Sequence, residues 1–176
     1  MSLALGAEAP PFDLPGVDGS NHALSDYSEF PALAVGWSCN HCPYVRAWEG
    51  RMKQIQADHA DRGFRLVAIN SNDSRAYPED SFAAMQERAQ EHGFNFDYLQ
   101  DEDQSIAAAY GPERTPEVFL FDGDRRLVYH GAIDDSREEN AVTAHYLRDA
   151  IDAVLAGRAP TVADTMPVGC TIKWRS

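Results

Sequence analysis

The chain has 176 residues, 44% of them hydrophobic, with 15 Lys and Arg against 28 Asp and Glu for a formal charge of -13. That length and apolar content suit one globular domain, 1–176, with a real core. The acidic surface repels phosphate backbones and anionic lipid, which argues against nucleic acid and membrane as partners, and no apolar run approaches the ~20 residues of a spanning helix.

In chain order, residues 5–30 are rich in turn formers. Phe12 and Leu14 alternate before Pro15-Gly16-Val17-Asp18-Gly19, and Asp18-Gly19 is a hairpin signal. A small N-terminal hairpin is expected, then a turn near Leu24–Tyr27. Residues 32–37 are continuously apolar, as in a strand covered on both faces. A helix should run from about Cys42 to Arg62, with Pro43 in its first turn and Gly63 ending it. Residues 64–70 read as the next strand and 71–74 as a polar loop. A helix over 80–92 would be capped by Asp80 or Ser81 and stopped by Gly93. A short strand within 94–99 follows, then a short Ala-rich helix capped by Asp103. Thr115-Pro116 opens a strand over 117–121. Asp122-Gly123-Asp124 turns the chain into an antiparallel return at 127–130. A last helix is expected over 138–156, and 158–176 is a tail that could fold back over the domain. The order predicts an α/β chain: a thioredoxin fold with a hairpin extension and an inserted β/α unit, its central mixed sheet flanked by helices.

Chemistry concentrates at Cys39-Asn40-His41-Cys42-Pro43, between a strand and a helix. Spacing i, i+3 at a helix start brings two sulfurs within bridging range. Unpaired N–H groups and the helix dipole favour a thiolate there. Disulfide exchange needs one thiolate to attack and a second thiol to release the mixed disulfide. Cys39 is the expected nucleophile, with a thiol pKa in the ~3.5–7.5 range of such sites, and Cys42 the resolving thiol. His41, beside both thiols, should favour the thiolate and make the couple more oxidising. Thr115-Pro116 is the expected partner element: a cis proline facing the dithiol, with the preceding backbone free to pair with a substrate strand. Asn70, Asn72 and Asp73 end a strand at the carboxyl edge of the sheet, where open α/β sheets place their sites. Trp37 and Asn40 are expected to line the site, Trp37 as its floor or as a core aromatic. Asp122-Gly123 and Asp134-Asp135 read as turn and cap residues. Cys170 is either a buried structural cysteine or an extra thiol that bridges Cys39.

The chain resembles the AhpC/TSA-type redoxins with a thioredoxin-like fold, in the peroxiredoxin-like branch that keeps an intact C-x-x-C. The matching pieces are Cys39–Val45, Ile69–Asp73, Thr115–Asp122, Gly131–Asp135 and Gly169–Trp174. The resemblance implies thiol redox chemistry. It leaves open a thiol-disulfide oxidoreductase or a thiol-dependent, antioxidant peroxidase, in which one sulfur becomes a sulfenic acid and the other condenses with it. Two departures weaken the peroxidase reading. Cys39 stands where a typical peroxiredoxin has the Thr three residues before its peroxidatic cysteine, and Val35 stands where it has a proline. The buried Asp of thioredoxin would fall near Leu33, so its role is unfilled or moved. A metal-binding module using Cys39, His41, Cys42 and Cys170 is the reading from a different class. The expected cofactor is none beyond the redox-active disulfide. The expected partners are a protein or small-molecule disulfide, or a peroxide, with a thiol system to restore the dithiol. Three unevenly spaced cysteines, and a start without a basic or long apolar segment, point to the cytoplasm.

Overall fold

A computed structural model describes residues 1–176. Strands β1 (Asp13–Pro15) and β2 (Asn21–Ala23) form the N-terminal hairpin, followed by a 3-10 turn over Leu24–Tyr27. The central elements are β3 (Ala32–Trp37), α1 (Pro43–His59), β4 (Phe64–Asn70), α2 (Phe82–Glu91), β5 (Asp97–Gln100) and α3 (Ser105–Tyr110). Then come β6 (Arg114–Thr115), β7 (Glu117–Phe121), β8 (Leu127–Gly131), α4 (Tyr146–Leu155) and β9 (Cys170–Thr171).

The main sheet has the order β5-β4-β3-β7-β8, with β3, β4 and β5 parallel and β7 and β8 antiparallel. It is the mixed, helix-flanked sheet of the thioredoxin fold. All six residues of β3 are buried, because both faces of this central strand are covered. Ala32 and Ala34 face a core with Trp48, Met52 and Ile55 of α1 and Leu147 and Ile151 of α4. Leu33, Val35 and Trp37 face the second core, with Tyr110, Phe119, Phe121 and the hairpin residues Phe12 and Leu14. This alternation is the period of a strand, and each large apolar side chain so buried contributes roughly 1.5–3 kcal/mol. On α1, Val45, Trp48, Met52 and Ile55 recur at helical spacing and are all buried, so the helix start is held against the sheet.

The structure settles or changes several local expectations. Of the two cap candidates for α2, Ser81 is the cap, accepting from Ala84 N–H; Asp80 ends a 3-10 turn, Pro78–Asp80, and is buried. Residues 94–96 stay outside β5, with Phe94 and Phe96 stacked on each other. At α3, Asp103 accepts from Ser105 N–H, while the buried Asp101 takes Ile106 and Ala107 N–H. The last helix begins at Tyr146 rather than 138. The preceding stretch is tied down instead: Asp135 accepts from Thr143 N–H, and Arg51 donates to the carbonyls of Ser136 and Arg137. Asp134 is more than a turn residue. It is a buried carboxylate paired with Arg51 at 2.8 Å and bonded to Trp48 Nε1 at 2.9 Å. No helix is long and apolar enough to cross a membrane.

Candidate active site

β3 ends at Trp37, and the chain turns through Ser38–Cys42 into α1. Cys42 is the residue just before the helix, in an extended conformation, and Pro43 takes the first helical position. Cys39 thus lies at the loop that leads into α1, where the backbone N–H groups of His41 and Cys42 favour its thiolate. Cys39 is 1% exposed and Cys42 is fully buried.

The opposite wall is the Thr115–Pro116 segment, whose peptide bond is cis. Cys39 Sγ lies 3.7 Å from Thr115 Oγ1, and Cys42 Sγ lies 3.6 Å from the Thr115 carbonyl oxygen. Glu117, also buried, holds this segment from behind. Its Oε1 accepts from Glu113 and Arg114 N–H at 3.0 Å, and its Oε2 is 2.8 Å from His130 Nε2.

A carboxylate lies under the loop. Asp80 accepts from Asn40 N–H at 2.7 Å, Asn70 Nδ2 at 3.2 Å and Asn72 Nδ2 at 3.1 Å. Asn40 also accepts from the Tyr98 hydroxyl at 2.8 Å and donates to the Glu79 carbonyl. Asn40, Asn70 and Asn72 thus support the site from below, through Asp80. Trp37 does not form its floor. It packs between Tyr110 and Phe119 and donates to Ser71, because its side chain falls on the far face of the sheet.

The expected low thiol pKa is not found. Burial and then the nearby Asp80 charge push the Cys39 thiol up to about 11, against the lowering effects of Thr115 and the two backbone donors. His41 is turned toward Asp80, its Nδ1 2.5 Å from the carboxylate but out of hydrogen-bonding line, and its ring stacks on Tyr77. Cys39 Sγ, a His41 ring nitrogen and an Asp80 oxygen lie within 4.8 Å of one another.

Cys170 bonds to Cys42, not to Cys39. Tail strand β9 pairs antiparallel with β6, with Thr115 opposite Cys170, and this register places the tail thiol at Cys42. The bridge leaves Cys39 as the free thiol and removes two of the four soft ligands of the metal-module reading. Cys39, His41 and Asp80 are the three potential ligands that remain together.

Sequence reasoning missed Asp80 and the Glu117–His130 pair. The signal for Asp80 was faint. Asn70 and Asn72 alternate at a strand end, so both amides aim to one side and need an acceptor.

The family model described as "AhpC/TSA family" matches residues 5–130. The chain is similar to the solved structure of a hypothetical protein from Sinorhizobium meliloti 1021, with 40% identity, TM-score 0.94, and 100% of this chain and 97% of that one covered. It is also similar to an uncharacterized conserved protein from Geobacillus kaustophilus, with 42% identity, TM-score 0.93, and 98% and 93% covered. Among curated proteins it is similar to the thiol-disulfide oxidoreductase ResA of Geobacillus thermodenitrificans, 24% identical over 128 residues, which are 72% of this chain and 68% of the relative.

Proposed function

We propose that this chain, which belongs to the AhpC/TSA family, is a thiol-disulfide oxidoreductase in which Cys39 attacks and Cys42 resolves. The observation that carries the reading is the seat of the two sulfurs: at the turn into α1 they face the cis Thr115–Pro116 segment, Cys39 Sγ 3.7 Å from Thr115 Oγ1 and Cys42 Sγ 3.6 Å from the Thr115 carbonyl. Thr115 and the backbone N–H groups of His41 and Cys42 favour the thiolate once its proton has left, and His41 and Asp80, within 4.8 Å, are the titratable groups placed to take that proton.

The Cys39 thiolate attacks one sulfur of a substrate disulfide, forms a mixed disulfide and expels the first substrate thiol. Cys42 then attacks Cys39 Sγ, closes the Cys39–Cys42 disulfide and expels the second. A thiol system returns the pair to the dithiol. When β9 is displaced from Thr115, that backbone offers a peptide substrate an edge for strand pairing. The reaction class is the one in the name of the ResA relative. Peroxide is the weaker substrate, because Cys39 occupies the place of the Thr hydroxyl that orients peroxide in a typical peroxiredoxin. A reducing compartment, the cytoplasm, fits three cysteines gathered at one site.

The test is stopped-flow Trp fluorescence of the fully reduced protein, mixed with a peptide disulfide or with hydrogen peroxide. Fast reaction with the disulfide, abolished by Cys39→Ser, is expected. Peroxide consumption orders of magnitude above a free thiol, with the disulfide inert, would overturn it.

A further inference from the structure

Four observations converge on the tail. Cys170 is bonded to Cys42, one of the two thiols at the site. Its strand lies on Thr115, the residue before Pro116, so the tail takes the edge a substrate strand would use. Gly169 passes so close that a Cβ there would lie 2.0 Å from the Thr115 carbonyl oxygen, so the approach admits no side chain. The rest of the tail is anchored: Ile172 enters the core, Asp73 N–H donates to the Lys173 carbonyl at 2.8 Å, and Lys173 N–H donates to Asn72 Oδ1 at 2.9 Å.

We propose that the C-terminal tail is a built-in substrate of this site, and that Cys170 is a third redox thiol that exchanges disulfides with the Cys39/Cys42 pair. This rests on the reading of that pair as the redox couple. In the step, Cys39 loses its proton and its thiolate attacks Cys42 Sγ. The Cys39–Cys42 bond forms as the Cys42–Cys170 bond breaks. The electron pair leaves on Cys170 sulfur, which takes up a proton. One disulfide and one thiol stand on each side, so no outside oxidant or reductant is needed.

The two oxidised forms have different uses. With Cys42 bridged to Cys170, the edge is occupied and Cys39 is a buried, protonated thiol. After exchange, the disulfide is Cys39–Cys42 and Cys170 is no longer covalently held, so an outside strand can compete for Thr115. The anchors beyond Cys170 keep its thiol near the site, which gives it the advantage of an intramolecular reactant.

The test uses the full chain, equilibrated anaerobically in glutathione buffers of increasing oxidation, acid-quenched, alkylated and digested with trypsin. The first Lys or Arg is Arg46, so Cys39 and Cys42 share peptide 1–46, while Cys170 falls in 159–173. The singly oxidised protein is expected as two species: cross-linked 1–46/159–173 with Cys39 alkylated, and uncross-linked 1–46 with Cys170 alkylated. Their ratio should be the same at every redox poise, because they interconvert without net electron transfer. Cys39→Ser should give the cross-link alone. Cys170→Ser should give only Cys39–Cys42. Absence of the cross-link in the wild type at every poise would overturn the inference while leaving the proposed function standing. So would a cross-linked form that never converts in thiol-free buffer. Loss of all exchange with outside disulfides, with the cross-link still forming, would instead count against the proposed function.

Discussion

Asp80 accepts a 2.7 Å hydrogen bond from the backbone N–H of Asn40, inside the loop that joins Cys39 to Cys42. A charge carried by one element thereby holds the reactive loop of another and sits beside its sulfur. Burial first, and the Asp80 charge second, raise the Cys39 thiol pKa to about 11. In Asp80→Asn the burial remains and the charge goes. The pH midpoint of Cys39 alkylation in the Cys42–Cys170 form should fall below the wild-type value, and the mismatched amide should cost about 1–3 kcal/mol. Iodoacetamide rates against pH, with urea unfolding, check both. An unchanged midpoint would contradict this electrostatic role.

Gly169 tests the tail without touching a thiol. Gly169→Ala puts a methyl against the Thr115 carbonyl and should keep β9 from seating. The Cys42–Cys170 cross-link should drop sharply in peptide maps, with Cys39–Cys42 taking its place. An undiminished cross-link would show that the close approach is not required.

His130 links pH to the wall that carries Thr115. Burial opposes its charged form, but the hydrogen bond and charge of Glu117, with Asp164, outweigh that and raise its pKa above the ordinary value. The folded state therefore binds this proton more tightly than the unfolded chain. The stabilisation is full below about pH 6.5 and is lost as pH rises through the higher folded value. Unfolding free energy should decline over that window, and His130→Gln should flatten the decline. An equal slope in the variant would count against it.

The Arg51–Asp134 pair joins α1 to the loop after β8, and both side chains are at least nine-tenths buried. Arg51→Ala leaves Asp134 buried without its counter-charge and should cost about 3–5 kcal/mol. Replacing both with apolar residues should recover part of that in urea unfolding. A loss below about 1 kcal/mol, as for an exposed pair, would be the contrary result.

Much of the fold was legible because burial on two faces writes itself into a strand as an unbroken apolar run. Residues 32–37 and 118–121 read that way and lie in β3 and β7, the latter beginning one residue earlier at Glu117. The C-x-x-C at a strand-to-helix turn and the Thr115-Pro116 element were equally plain. What stayed hidden depends on contacts distant in sequence. Asp80 looks like a helix cap until the 3-10 turn at 78–80 tucks it under Asn40, 40 residues away. Trp37 was ambiguous because the position before the dithiol does not reveal which face of the sheet a side chain takes. Cys170 had no locally readable partner, since its pairing follows from the register of a two-residue strand 128 residues beyond Cys42. Residues 138–145 lack helical apolar spacing; Asp135 takes the Thr143 N–H within that stretch, and Arg51 of α1 holds the carbonyls of Ser136 and Arg137 just before it.

The most direct test of the central claim is a trapping measurement. Reduced Cys42→Ser protein is mixed with a peptide disulfide, quenched with acid and mapped by mass spectrometry. Attack by Cys39 should leave a stable mixed disulfide between Cys39 and the peptide, while Cys39→Ser protein forms none. A peptide adduct on Cys170 alone, or on Cys42 in the Cys39→Ser protein at an undiminished rate, would contradict the assignment of Cys39 as the attacking sulfur.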